Sequence, residues 1–488
     1  MKANLMFRDR DFDITATPRF GRDMLTADLE LERVLAFMAQ GDGVIGAACT
    51  SALFCPLQLP EQIRYRQENL RDAFRNPDAL WRLYEITVEA GNKKRSAWHW
   101  LSSRYISATF NSAVELMKIF LDMLMELRLV ADKSLSGFQS EGFGNLLTML
   151  RRELDDAYFA EARAHLNDLK DGAGTLISAE AGDYLHGVRY VLRRKKRKGF
   201  LRRWSFVPSY TVAPRDDEGV ADLAKRRDRA INEVTNALAQ AAEHLEGFFT
   251  MLRGELAFYV GCLNLADYLR ALGLPVCIPE LLEKDGESRS WRGLYDVSLV
   301  LTKQAAVTAN DLDADGKSLY IITGANQGGK TTFLRSVGQA QLMAQSGMFV
   351  GAESFCAPVR SGVFTHFKRE EDSEMKSGKL DEELARMSEI IDNFESGAVM
   401  LFNESFAATN EREGSEICSQ ITRALIENGT EVFSVTHLYT HAAEFLNDGR
   451  AQFLQAERLD GGERTFKVVP GLPRQTAFGE DLYKKVFG

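Results

Sequence analysis

Eight residues constrain this chain more than any others: Gly324-Ala-Asn-Gln-Gly-Gly329-Lys330-Thr331, which fit the pattern GxxxxGK[ST]. An apolar run, Leu319–Ile322, precedes them, and a helix-patterned run, Thr332–Met343, follows. A strand that turns into a helix through glycines aims bare backbone N–H groups and a helix N-terminus at one point. Those are the requirements of a phosphate cradle. On this pattern Gly324, Asn326, Gly328, Gly329 and Thr332 surround the phosphates, and Lys330 reaches the outer two. The Thr331 hydroxyl then holds Mg²⁺. A glycine turn without a ligand is the bland alternative, and the flanking strand and helix argue against it.

Two more strand-like runs end in chemistry. Ala398–Phe402 is apolar and runs into Asn403-Glu404, where a carboxylate can polarise an attacking water. Glu404 is the expected general base or water-positioning residue, with Asn403 beside Thr331 as a Mg²⁺ ligand. The run Glu431–Val435 leads to Thr436-His437, which puts His437 where a γ-phosphate would lie. Between them Ser377-Gly378 opens a helix-like stretch, Leu380–Phe394. A serine there is by itself an ordinary N-cap. The order of loop, Ser-Gly helix, acidic strand end and strand-end histidine is nevertheless that of ABC-type ATPases. In those proteins the Ser-Gly helix acts on the nucleotide of the facing subunit. Ser377 and Gly378 are then contacts made in trans, and a homodimer encloses two ATP molecules.

The first 300 residues read as helical. Leu29, Leu31, Val34, Leu35 and Met38 recur at helix spacing, as do segments near 60–69, 78–88 and 112–131. Ile231, Val234, Leu238, Ala241, Leu245, Phe248 and Leu252 keep alternating intervals of three and four, a heptad seam predicting a helix from Ala221 to about Val260. A looser helical period over Phe143–Lys170 offers an antiparallel partner, although two ordinary bundle helices would show the same pattern. Their connection holds the one strong charge run: Arg189, Arg193, Arg194, Lys195, Lys196, Arg197, Lys198, Arg202 and Arg203, nine basic residues in fifteen. Interleaved aromatic and β-branched residues with Lys198-Gly199 suggest a basic hairpin turning there. Such a run is often a solvated loop. Self-repulsion favours an anionic partner, and nucleic-acid backbone is the expectation.

Composition narrows the classes. With 45% apolar and 26% charged residues, the 488-residue chain is neither disordered nor fibrous. A net charge of −9 restricts any nucleic-acid contact to a local patch. Charges interrupt the greasiest stretch, Met117–Val130, and Met1–Asp13 has no apolar signal core. Six cysteines without CxxC pairs point to a reducing, cytoplasmic address and no membrane. The expected fold is mixed: an all-α core (1–142), lever helices with a basic clamp-like tip (143–260, tip 171–220), a junction (261–300) and an α/β P-loop ATPase domain (301–488).

Taken together, these motifs resemble the MutS family of DNA mismatch-repair ATPases. The likeness runs through TANDL at 308–312, IITGANQGGKTT at 321–332, GMFVGAE at 347–353 and VFTHF at 363–367. It continues through the Ser377 helix, LFNESFAATN at 401–410 and VTH at 435–437. The resemblance implies ATP-driven closure of a dimeric ring on DNA. Three departures qualify it. The chain starts at the helical core, leaving no room for mismatch-reading and connector domains. Little chain follows Pro470, so neither a C-terminal dimerisation element nor a nuclease tail is expected. Asn403 stands where the family pattern has Asp, which implies weaker Mg²⁺ binding and slow turnover. The expectation is a dimeric ATPase that grips structured or branched DNA without reading mismatches. A ribosome- or RNA-associated ATPase and a nucleotide-gated scaffold with little hydrolysis are the alternatives. Tyr295 is a candidate for stacking on adenine, with a core tyrosine the plainer reading.

Overall fold

The computed structural model describes residues 1–18, 20–98, 106–170, 176–183, 187–193, 211–213, 215–286, 288–369, 378–459 and 464–474. The chain divides into two compact units, one of residues 1–4 and 76–256 and one of residues 5–75 and 257–488. A helical N-terminal region is followed by an α/β C-terminal one. Among the described residues no helix is long and apolar enough to cross a membrane.

The first unit is helical: Pro77–Trp98, Ile106–Ser134, Glu141–Glu153, Asp156–Lys170 and the beginning of a long helix, Asp217–Ala271. Its core gathers Leu80, Leu83, Leu124, Leu127, Leu147 and Leu150, with Phe120 stacked on Phe249 at 5.6 Å between ring centroids. The 143–170 segment is two helices rather than one. Leu154 leaves helical geometry, and the Asp155 carboxylate accepts from the Tyr158 N–H at 2.7 Å, starting the next helix. The heptad residues do lie on one face, but Thr235, Ala242 and Phe249 are buried beside them. That wider stripe belongs to a helix packed in a bundle. The helix also continues past the expected end at Val260, because Leu263, Leu265, Ala266 and Leu269 keep burying the same side; it stops before Gly273, at φ 74°, and Pro275. The first eleven residues of the expected junction are therefore helix. Two strands, β1 (Ile177–Ala181) and β2 (Gly187–Leu192), pair antiparallel upstream of the expected turn at Lys198-Gly199. That turn lies outside the described residues.

Among the described residues the second unit carries ten strands: β3 (Glu280–Leu282), β4 (Ser290–Leu294), β5 (Asn310–Asp313), β6 (Leu319–Thr323), β7 (Ser354–Pro358), β8 (Val363–Phe367), β9 (Val399–Asn403), β10 (Glu431–Val435), β11 (Ala451–Arg458) and β12 (Arg464–Pro470). Six form a sheet in the order β12-β11-β6-β10-β9-β8, parallel except for β12, and β3-β7-β4-β5 form a smaller one. Strands β6, β9 and β10 are mostly apolar and buried along nearly their whole length because both of their faces are covered. Leu319, Ile321, Met400, Phe402 and Val432 meet Met387 and Ile390 of helix Lys379–Asp392, and Cys418 and Leu425 of helix Glu411–Glu427. On the alternate positions Tyr320 stacks on Phe433 at 4.1 Å, with Trp291 beyond. A buried Arg289–Glu431 ion pair, joined by Arg360, ties the two sheets together.

Helices Arg22–Asp28, Leu31–Ala39, Gly43–Phe54 and Pro60–Arg75 also belong to this second unit. The division therefore cuts across the expected 1–142 core. The reason lies on helix Lys330–Gln345, which is buried on nearly every side. A side chain at Gly338 would strike Leu29 and Leu401 at 2.7 Å each, so the N-terminal segment and the sheet press on one helix from two directions. Arg66, 1% exposed, donates to the Ser346 carbonyl at 2.7 Å, and Gln345 donates to the Leu57 carbonyl at 3.1 Å.

Candidate functional site

The parallel strands β6, β10 and β9 are neighbours, and each leads at its carboxyl end into residues expected to do chemistry. In such sheets ligands bind beyond the carboxyl ends of the strands. From β6 the chain enters the loop Gly324–Gly329 and then helix Lys330–Gln345. Gly324 and Gly329 adopt φ of 116° and 92°, and Gln327 is left-handed at 58°. A Cβ at Gly328 would lie 2.8 Å from the Ala456 side chain, and one at Gly329 would lie 3.0 Å from the Phe466 carbonyl oxygen. Glycine is required by conformation at 329 and by space at 328. Lys330, 4% exposed, donates to the Gly324 and Ala325 carbonyls at 2.7 and 3.2 Å. Burial pushes its ammonium down to about 8, Glu404 opposing the shift and Arg464 adding to it.

Strand β9 delivers Asn403, and the Thr331 hydroxyl donates to its Oδ1 at 3.1 Å. Two oxygens from different elements thus meet at the helix N-terminus, a donor set that suits a hard cation such as Mg²⁺. The next residue, Glu404, is left-handed at φ 53° and fixed by its N–H donating to the Val435 carbonyl at 2.8 Å. At the end of β10 the His437 ring nitrogen Nε2 lies 2.7 Å from Glu404 Oε1. That hydrogen bond holds the Glu404 carboxyl below its usual range, with Lys330 and Lys368 contributing. An ionised carboxylate only accepts, so Nε2 carries the proton. Glu404 is half-buried and faces the loop.

A cavity of about 300 Å³ opens over the loop. Asn326, Gly328, Gly329, Lys330, Thr331, Thr332 and Glu404, all singled out in the sequence, line it. Its other wall is made by Leu299, Val307, Thr308, Asn310 and Phe466, which sequence reasoning did not assign to the site. Thr308 and Asn310 lie in the TANDL segment. Phe466 and Arg464 sit on β12 with no motif around them, and only the sheet order brings them over the loop. There Arg464 donates to Gln327 at 3.0 Å.

Other candidates fall elsewhere. Tyr295 is 2% exposed, its hydroxyl donates to the Pro275 carbonyl at 2.9 Å, and it does not line the cavity; it is a core tyrosine. Gly378 caps helix Lys379–Asp392 with its carbonyl accepting from the Glu382 N–H at 3.1 Å, away from the cavity lining. Ser377 lies outside the described residues. So do Arg194, Lys195, Lys196, Arg197, Lys198, Arg202 and Arg203. Of the basic run, Arg189 pairs with Glu180 at 3.1 Å and Arg193 donates to the Ser178 hydroxyl at 2.8 Å.

Two family models match the chain. Residues 59–272 match the MutS2 N-terminal domain, and residues 320–459 match MutS domain V. MutS protein homolog 4 of Homo sapiens is 26% identical over 261 residues, covering 50% of this chain and 27% of that protein. Endonuclease MutS2 of Streptococcus equi subsp. equi is 31% identical over 308 residues, covering 61% of this chain and 38% of that protein. Endonuclease MutS2 of Thermus thermophilus is 28% identical over 191 residues, covering 36% and 25%. The chain thus spans between 25% and 38% of the length of these relatives.

Proposed function

Because the chain belongs to the MutS family, we propose that it is a Mg²⁺-dependent ATPase that works as a homodimer and couples ATP to the gripping of structured or branched DNA. The observation that carries this is the convergence of Lys330, Thr331–Asn403 and Glu404–His437 at the carboxyl ends of three adjacent parallel strands. The loop N–H groups and Lys330 hold the β- and γ-phosphates. Thr331 and Asn403 would hold Mg²⁺, which neutralises charge developing on the phosphate oxygens. Glu404, oriented by His437, accepts a proton from water as its oxygen bonds the γ-phosphorus and the bond to the bridging oxygen breaks. His437 also stands at the γ-phosphate. Ser377 and Gly378 serve the partner's nucleotide. The basic run from Arg189 to Arg203 takes the DNA backbone.

Asn403 accepts through a neutral oxygen where a carboxylate would add full charge. Asn403→Asp should therefore tighten Mg²⁺ binding by about tenfold, the effect of roughly 1.4 kcal/mol, and raise turnover. Titration of ATPase rate with Mg²⁺ checks this, and an unchanged midpoint would contradict it.

The polyanion part is tested with duplex, mismatched, branched and single-stranded DNA and with RNA at several salt concentrations. Phosphate contact gives a log–log salt slope of about −0.9 per duplex phosphate neutralised. Substituting Arg193–Lys198 by glutamine should flatten that slope. A preference for A-form RNA over every DNA would replace DNA as the partner, since both present phosphates to a basic run.

A further inference from the structure

Ser405, next in sequence to Glu404, is buried between two left-handed residues, Glu404 at φ 53° and Phe406 at 58°. Such a conformation is unfavourable in a non-glycine residue and persists only where surrounding contacts enforce it. One enforcing contact is His366 on β8. Its ring is fully buried, lies stacked on Phe406 at 5.1 Å and meets the edge of Phe402 at 6.1 Å. Nδ1 lies 2.8 Å from Ser405 Oγ, and Nε2 lies 3.1 Å from the Glu383 carbonyl oxygen in helix Lys379–Asp392. The Ser405 hydroxyl also lies 2.6 Å from the His366 carbonyl oxygen.

These three contacts need three hydrogens, and a neutral ring with a serine supplies two. With the proton on Nδ1, the ring donates to Ser405 and the hydroxyl to the His366 carbonyl, but Nε2 then turns a lone pair on the Glu383 carbonyl. With the proton on Nε2, the ring donates to Glu383, and the hydroxyl completes the Nδ1 contact only by turning onto it and leaving the His366 carbonyl. Burial, helped by Arg386 and Arg369, keeps the ring neutral, so the third hydrogen is not available at ordinary pH.

We propose that His366 is a positioning residue through which helix Lys379–Asp392 sets the geometry of Glu404: its ring can bond the helix and Ser405 together only when the Ser405 hydroxyl turns from the strand to the ring. The chain of contacts runs from Glu383 through His366 and Ser405 to the peptide of Glu404. A shift of the helix at Glu383 favours one proton arrangement over the other and so moves the residue attached to the base. This rests on the reading of Glu404 as the base. Because that helix opens at Gly378, an event at its N-terminus has a physical route to the chain's own water-positioning group.

Single-turnover hydrolysis and ATP affinity, measured on full-length Ser405→Ala, His366→Phe, their double variant and Glu404→Gln, test it. Ser405→Ala removes one hydroxyl and keeps the fold testable if the His366 variant fails to fold. The expected result is a roughly ten- to hundredfold lower hydrolysis rate for each single variant, with ATP affinity within threefold of the parent. The double variant should be no slower than the slower single one, because both break one path. His366→Asn, whose amide can still meet Ser405, should recover part of the rate lost in His366→Phe. If Glu404→Gln abolishes hydrolysis while folded Ser405→Ala turns over at the parental rate, this inference fails alone. Multiplying losses in the double variant would also overturn it. If Glu404→Gln hydrolyses like the parent, the reading of the base fails and the inference with it.

Discussion

Glu404→Gln should lower ATP hydrolysis by about 10²–10⁴-fold, the usual worth of a positioned acid–base group, while ATP binding changes by no more than a few-fold. The carboxylate sits beyond the phosphate loop rather than in it, fixed at its backbone by Val435 and at its side chain by His437 2.7 Å away. Glutamine has nearly the same volume and can still meet the histidine, so the local turn should survive. It cannot take a proton from water. Binding depends instead on Lys330 and the loop N–H groups, whose positions the substitution leaves in place. The expected signature is a loss in the chemical step with the substrate still held. Rapid-quench single-turnover hydrolysis beside equilibrium nucleotide binding separates the two. Equal losses in both would remove Glu404 from the chemistry.

Lys330→Met should weaken ATP binding by about 10–100-fold, since a charge-assisted hydrogen bond is worth roughly 1.5–3 kcal/mol. The lysine also predicts how binding responds to pH. Its ammonium is pushed down to about 8 from an ordinary 10.5, so the folded protein without nucleotide releases this proton before the unfolded chain does. Between those values the unfolded state binds more protons, and stability from this group rises with pH. Affinity for ATP moves the other way, because the triphosphate selects the charged lysine. Above pH 8 binding must take up a proton. Calorimetry in two buffers of different ionisation enthalpy measures that uptake. The Met variant should show none of it.

Much of this site is legible in the sequence because its parts are local. The phosphate loop is eight consecutive residues, and Asn403, Glu404 and His437 each end an apolar run. What the sequence hid depends on which strands are neighbours. Arg464 and Phe466 reach the loop through the pairing of β12 with β11, and of β11 with β6, across more than a hundred residues of chain. His366 lies within a quoted motif, yet its contacts with Ser405 and Glu383 come from three separate elements. In the helical region, periodicity located the helices well but not their breaks. At Leu154 a single Asp cap outweighs a continuous apolar pattern, and past Val260 continued burial outweighs the end of the heptad seam. The compact units divide the chain elsewhere than the helical spacing does, for a similar reason. Residues 5–75 are as helical as those after them, and nothing in their spacing says that Arg66 and Leu29 press on the phosphate-loop helix.

In the proposed function, nucleotide at the sheet and polyanion at the basic run bias one common conformational equilibrium. Linkage then requires each ligand to change the affinity of the other by the same factor, typically 5–150-fold. The direct test uses Glu404→Gln, which holds ATP without consuming it. DNA affinity is measured with and without Mg²⁺-ATP, and ATP affinity with and without saturating branched DNA. Equal, reciprocal factors of at least fivefold are predicted. Factors of one in both directions would contradict the account, leaving two sites that share a chain and nothing more.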